Sequence, residues 1–215
     1  MIDHPIPPVT EPLQYRAIGV VRGTYHTNDK EKFTRGYLVD EQGEQVEAVV
    51  LGRVITLIRR HLNIDEPHLW VVYPRCRESD HLHLQIGGIW EPSTLAKKNQ
   101  DGNLKSADTI NLDYLPEGDD YFSIRGELIY TRPETNDLVV RIRQKPRSKL
   151  IKPQPFKILI KGEISLEYLR KFVSLDVRRR GQNLILEKYE ILGEVPSKSS
   201  KKGGKSNSRV IKKSD

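Results

Sequence analysis

Two stretches of this chain begin alike. Tyr15-Arg-Ala-Ile-Gly-Val-Val-Arg-Gly23 and Tyr121-Phe-Ser-Ile-Arg-Gly-Glu-Leu-Ile-Tyr130 are both alternating strands crossed by a glycine. Each opens a series of short strand-like segments that closes on a strand, a polar turn, another strand and a proline, Pro92 and Pro196. A β module written twice in 215 residues calls for two small units of roughly 80 to 100 residues rather than one large domain. Composition agrees: 36% hydrophobic and 30% charged residues fill small cores, not the deep central sheet of an α/β enzyme.

Residues 1–12 hold Pro5, Pro7, Pro8 and Pro12, which cannot donate to a ladder, so they form an extended arm. In the first module, residues 13–92, strands are expected at 13–25, 33–39, 45–51, 69–73 and 82–90. Asp40-Glu-Gln-Gly43 makes a hairpin turn. Between the third and fourth strands, Val54, Leu57, Ile58, His61 and Leu62 fall at helical spacing. This β-β-β-α-β-β order is that of the oligonucleotide/oligosaccharide-binding (OB) fold, a five-stranded, partly open barrel. Residues 93–118 are a polar linker. The second module, residues 119–195, repeats the plan, with strands at 121–131, 137–144, 156–163, 172–178 and 183–192. Ser165 to Lys171 leaves room for two turns of helix, with Ser165 as N-cap. The chain is therefore expected to be mainly β, with two OB-like five-stranded barrels, one short helix in each. The Lys/Ser/Gly-rich stretch 196–215 cannot bury enough surface to order itself and forms a disordered basic tail.

Charge separates the copies. Residues 1–120 carry 13 Lys/Arg against 19 Asp/Glu, a net −6, residues 121–195 carry +7 and residues 196–215 carry +6. A polyanion belongs on the second half, and the acidic first barrel suits a protein partner. The lone Cys76 excludes internal disulfides. No apolar run approaches the ~18 residues of a membrane span, and Met1-Ile-Asp-His-Pro is no signal peptide, so no membrane partner and a cytoplasmic location are expected.

From Arg141 to Lys161 run eight cations without an acid: Arg141, Arg143, Lys145, Arg147, Lys149, Lys152, Lys157 and Lys161. Alternation sets Arg141, Arg143 and Lys145 on one face of a strand, with Val140, Ile142 and Gln144 opposite. In OB barrels, the face around strands two and three commonly holds single strands. The plain alternative is a solubilising surface. Reversing Arg141, Arg143 and Lys145 to Glu is expected to abolish binding while the fold persists. Arg178, Arg179 and Arg180, before Gly181, occupy the last hairpin tip, the second binding loop of such barrels, though an Arg-rich turn is also an ordinary soluble turn. Tail residues Lys198, Lys201, Lys202, Lys205, Arg209, Lys212 and Lys213 offer diffuse phosphate contacts. Among aromatic residues, Phe33 and Tyr130 are expected to face outward, while Tyr25, Tyr37, Tyr73, Phe156 and Tyr168 belong to barrel cores. Trp70 and Trp90 read as packing residues.

His81 and His83 share one side of a strand, but no Cys or carboxylate joins them at ligand spacing, so no metal is assigned. No phosphate-cradling Gly-Lys-Ser/Thr loop, nucleophile elbow or paired acid and base marks catalysis, and no cofactor is called for.

Leu69-Trp-Val-Val-Tyr-Pro-Arg75, Ile86-Gly-Gly-Ile-Trp-Glu-Pro92, Phe122-Ser-Ile-Arg-Gly-Glu127 and Val140-Arg-Ile-Arg-Gln-Lys-Pro-Arg147 resemble a conserved protein family of photosynthetic bacteria. The resemblance spans about residues 15 to 195. It implies a tandem OB architecture and carries no activity or functional residues with it. The expectation is a non-catalytic protein binding single-stranded nucleic acid, RNA rather than DNA, through its second barrel. The rival is an adaptor docking on a ribosomal, polymerase or other macromolecular complex. Oligomeric state stays open.

Overall fold

The computed structural model describes residues 4–27, 34–77, 81–92, 114–144 and 153–195, and in it the two alternating modules become ten strands. The first barrel comprises β1 (Arg16–His26), β2 (Arg35–Val39), β3 (Gln45–Val50), helix α1 (Gly52–His61), β4 (His68–Arg77) and β5 (His81–Ile89). The second comprises β6 (Tyr121–Arg132), β7 (Asp137–Ile142), β8 (Phe156–Lys161), β9 (Lys171–Arg180) and β10 (Asn183–Glu194). Each closes in the same order, 1-2-3-5-4-1, with the third and fifth strands parallel and the rest antiparallel. The structure is mainly β and built of two OB barrels.

The paired glycines explain how one long strand serves two sheets. β1 leaves β4 at Gly23 and joins β2 at Thr24, while β6 changes from β9 to β7 at Glu127, next to Gly126. A Cβ on Gly23 would stand 2.5 Å from the Val39 carbonyl oxygen, and one on Gly126 2.6 Å from that of Arg141. Neither turn of the barrel leaves room for a side chain.

Helix α1 has the expected amphipathic pattern, with Val54 and Ile58 buried in the core and Arg53, Arg59 and Arg60 exposed. The second barrel departs from the sequence expectation. Between β8 and β9 there is only a 3-10 turn, Leu166–Tyr168, and Ser165 makes no side-chain cap. Nine residues between the two strands are too few to nucleate a stable helix. Ile164 fills the core instead, held by the Thr131 hydroxyl donating to its carbonyl at 2.7 Å.

The barrels are fused. β1 pairs antiparallel with β6 through Arg16–Arg125, Ala17–Ile124, Ile18–Ser123 and Gly19–Phe122, and a single apolar cluster runs through both units. The juxtaposed Arg16 and Arg125 are held by the arm, whose carbonyls have no ladder to satisfy. Arg16 donates to Pro7 O at 2.8 Å and Arg125 to Pro12 O and Gln14 O. Ile6 of the arm and Leu115 near the end of the linker meet Ile18, Val20 and Leu69 in a second cluster, so β1 is buried on both faces.

Candidate nucleic-acid interface

In β7 the burial alternates as expected, with Leu138, Val140 and Ile142 inside and Asp137, Val139 and Arg141 outside. Register then fixes three rows across the outer face of β6, β7 and β8. Arg132, Asp137 and Lys161 form one, Tyr130, Val139 and Leu159 the next, and Glu127, Arg141 and Lys157 the third. An irregularity between Leu128 and Tyr130 turns Tyr130 outward, where it is 42% exposed. An aromatic-aliphatic stripe thus lies between two cationic rows. Bases stack on an aromatic ring while cations follow the phosphates, which is what such a face can do.

The cations differ in how free they are. Arg141 donates to both oxygens of Glu127, at 2.5 and 3.2 Å, and Arg143 donates to one of them at 3.1 Å. Glu127 is only 8% exposed, and its hydrogen bond and charge raise the Arg141 guanidinium above its ordinary pKa, against a smaller opposing effect of burial. Arg143 also lies over the Tyr15 ring at 5.8 Å. Burial pushes the Tyr15 hydroxyl pKa up, the Arg143 charge opposing, and its oxygen has no hydrogen-bond partner. Lys161 pairs with Asp137 at 2.6 Å, and Arg132 lies 3.7 Å from Glu134. Lys157 and Arg132 are exposed. Reversing Arg141 or Arg143 would therefore set a carboxylate against buried Glu127, so the reversal suggested by the sequence would not spare the fold.

The hairpin tip has a different job from the one its sequence suggested. Arg179 is buried, its side chain 1% exposed, with Nη2 2.6 Å from Asp40 Oδ2 and Nε 2.7 Å from Asp120 Oδ1. Asp40 is the residue that caps the β2–β3 turn, accepting from the amides of Gln42 and Glu44. Gln182 adds a bond to the Gln45 carbonyl. This loop fastens the second barrel to the first and is closed to a ligand at Arg179. Arg178 is likewise occupied, by Glu187 at 2.9 Å and by the carbonyls of Glu117 and Asp119. Of the three arginines only Arg180 is exposed.

Of the other expected residues, Lys145, Arg147, Lys149, Lys152, Phe33 and the tail cations Lys198, Lys201, Lys202, Lys205, Arg209, Lys212 and Lys213 lie outside the described residues. Arg132, Val139 and Leu159 were missed. Period-two parity in β7 and β8 carried the signal for Val139 and Leu159, whereas Arg132 turns outward only past the irregularity in β6. The register was needed to bring the three side by side. Tyr37 and Tyr73 correct an expectation: Tyr37 points outward and stacks on His26, ring centroids 5.8 Å apart, and Tyr73 packs against the second cluster outside the barrel, so neither fills the barrel core. Tyr25 and Trp70 are core residues, and the Trp70 indole donates to Gly23 O at 2.8 Å. Glu47 does join His81 and Arg77, at 3.1 and 2.9 Å. Among the described residues, however, no three ligating groups are placed to hold a metal ion.

Residues 17–97 match the domain described as "PatR RNA-binding protein, N-terminal OB-fold domain". Residues 124–193 match "Cyanobacterial OB-fold-like RNA-binding domain, C-terminal". No curated protein matches the chain. The order of the two domains is the order of the two barrels, and the chain is a tandem OB-fold protein.

Proposed function

We propose that this protein is a non-catalytic binder of single-stranded RNA, acting in the cytoplasm, and that the outer face of β6, β7 and β8 makes the main contact. One observation carries the assignment: Tyr130, Val139 and Leu159 form a stripe flanked by Arg132 and Lys161 on one side and Arg141 and Lys157 on the other. RNA is favoured over DNA because both matching domains are described as RNA-binding. The loop bearing Lys145, Arg147, Lys149 and Lys152 and the tail from Lys198 to Lys213 supply further phosphate contacts.

Contacts of this kind release condensed counterions. With three to five phosphates neutralised at about 0.7 each, log K for an oligouridylate should fall against log salt with a slope of about −2 to −3.5. Fluorescence anisotropy of the full chain with labelled oligouridylate measures it. Truncation after residue 195 should flatten the slope and leave binding in place. A salt-independent affinity, or no binding at low salt, would contradict the assignment.

A further inference from the structure

The first barrel is acidic by composition, yet the described rows of its outer face carry more cations than acids. Cross-strand register lines up His26, Tyr37, Glu47, His83 and Arg75 over all five strands. At about 4.8 Å per strand the row is roughly 19 Å long. A second row beside it holds Arg35, Val49, Gln85 and Tyr73. His26 and Arg35 are exposed, and the stacked His26–Tyr37 pair offers an aromatic platform.

Several of the described acids are already bound. Glu47 is bound by Arg77 and His81, which overcome its burial and hold the carboxyl below its ordinary range. Asp40 and Asp120 hold Arg179, Asp119 holds Arg22 at 2.8 Å, and Glu117 meets His4 at 3.0 Å. Among the described residues, no acid is paired with Arg35 or Arg75 on the outer rows.

Arg75 is also where the first barrel touches β8 of the second. Its guanidinium lies 3.9 Å from the centroid of the Phe156 ring, which sits on the core side at the start of β8. The row of the first barrel therefore ends beside the strand whose next residue, Lys157, faces outward. Because β1–β6 pairing and the Arg179 contacts fix the barrels together, the junction is a fixed feature rather than a chance approach.

We propose that the first barrel's outer face is the second half of one continuous single-strand tract. RNA bound on β6–β8 would pass from Lys157 to Arg75, and its next bases would stack at Tyr37 and His26, with Arg35 meeting phosphate. This rests on the proposed RNA-binding function and adds the first barrel, otherwise suited to a protein partner, to the same site.

Oligomer length separates the halves. A labelled oligouridylate of about 6 nucleotides occupies one barrel, and one of about 20 reaches both. Tyr37→Ala and, separately, the exposed Arg35→Glu should each weaken the longer oligomer about tenfold and leave the shorter one unchanged in anisotropy titrations. Arg35→Glu serves if Tyr37→Ala unfolds. Unchanged affinity for the longer oligomer in a folded variant, or equal loss for both lengths, would overturn the proposal while leaving the second barrel's face standing. Failure of the unmodified protein to bind either length would remove the RNA-binding reading itself.

Discussion

Replacing Arg179 with Leu is expected to cost about 3–5 kcal/mol of folding stability, the largest effect of any single change considered for this chain. The guanidinium is buried and bridges Asp40 Oδ2 and Asp120 Oδ1, with a third bond to Gly181 O at 3.0 Å. Its loss strands two carboxylates whose side chains are 7% and 19% exposed. The pH dependence has a definite sign. Burial raises the Asp120 carboxyl above its ordinary 3.8, and Arg179 opposes that rise. A raised folded pKa gives stability that is fully present below about 3.8 and lost as pH climbs through the raised value. Without Arg179 the rise is larger, so the deficit should be greatest near neutrality and should shrink as the pH falls through the acid range. Urea melts of both proteins at about pH 7 and about pH 5 measure this. Adding Asp40→Asn and Asp120→Asn to Arg179→Leu should recover much of the loss. An Arg179 variant as stable as the parent would mean that the hairpin does not fasten the barrels.

Combining Tyr130→Ala, Arg132→Glu and Lys157→Glu should weaken RNA binding at least about a hundredfold. Loss of stacking accounts for about 1–3 kcal/mol, and two reversed phosphate contacts supply the remainder. The three residues are exposed, and none holds a buried group, so the melting transition should barely move. That separates them from Arg141 and Arg143, whose bonds to buried Glu127 make any reversal a test of folding as well as of binding. Affinity unchanged in a folded triple variant would remove this face from the interface.

Much of the fold was legible because strand parity is a local property. Gly23 and Gly126 marked the places where a strand changes partners, and Leu138, Val140 and Ile142 announced the inward side of β7. Tyr130 was readable as outward from its place beside a polar turn, although strict parity with Leu128 would have turned it inward. Only the irregularity between them sets it outside. Parity says which side a residue takes, not what lies against that side. Arg179 looked like a surface cation because its partner Asp40 is 139 residues away in sequence. Tyr37 looked like core because an aromatic in a strand usually is, and only its register with His26 and Glu47 shows otherwise. The missing second helix was a matter of length, since Ser165 to Lys171 starts on a residue type that often caps, here making no cap, and has too few turns to nucleate. Net charge is blind to pairing: the −6 over residues 1–120 does not show that Asp119, Glu47 and Asp40 are bound by Arg22, Arg77 and Arg179.

Crosslinking of the full chain to an oligouridylate carrying 4-thiouridine, followed by mass spectrometry of the attached peptides, tests the central claim most directly. The face assigned here predicts adducts on β6 at Tyr130 and on β7 and β8 around Arg141 and Lys157, lost when Tyr130→Ala, Arg132→Glu and Lys157→Glu are combined. Adducts confined to the tail beyond residue 195, or to the exposed side of helix α1, would contradict it.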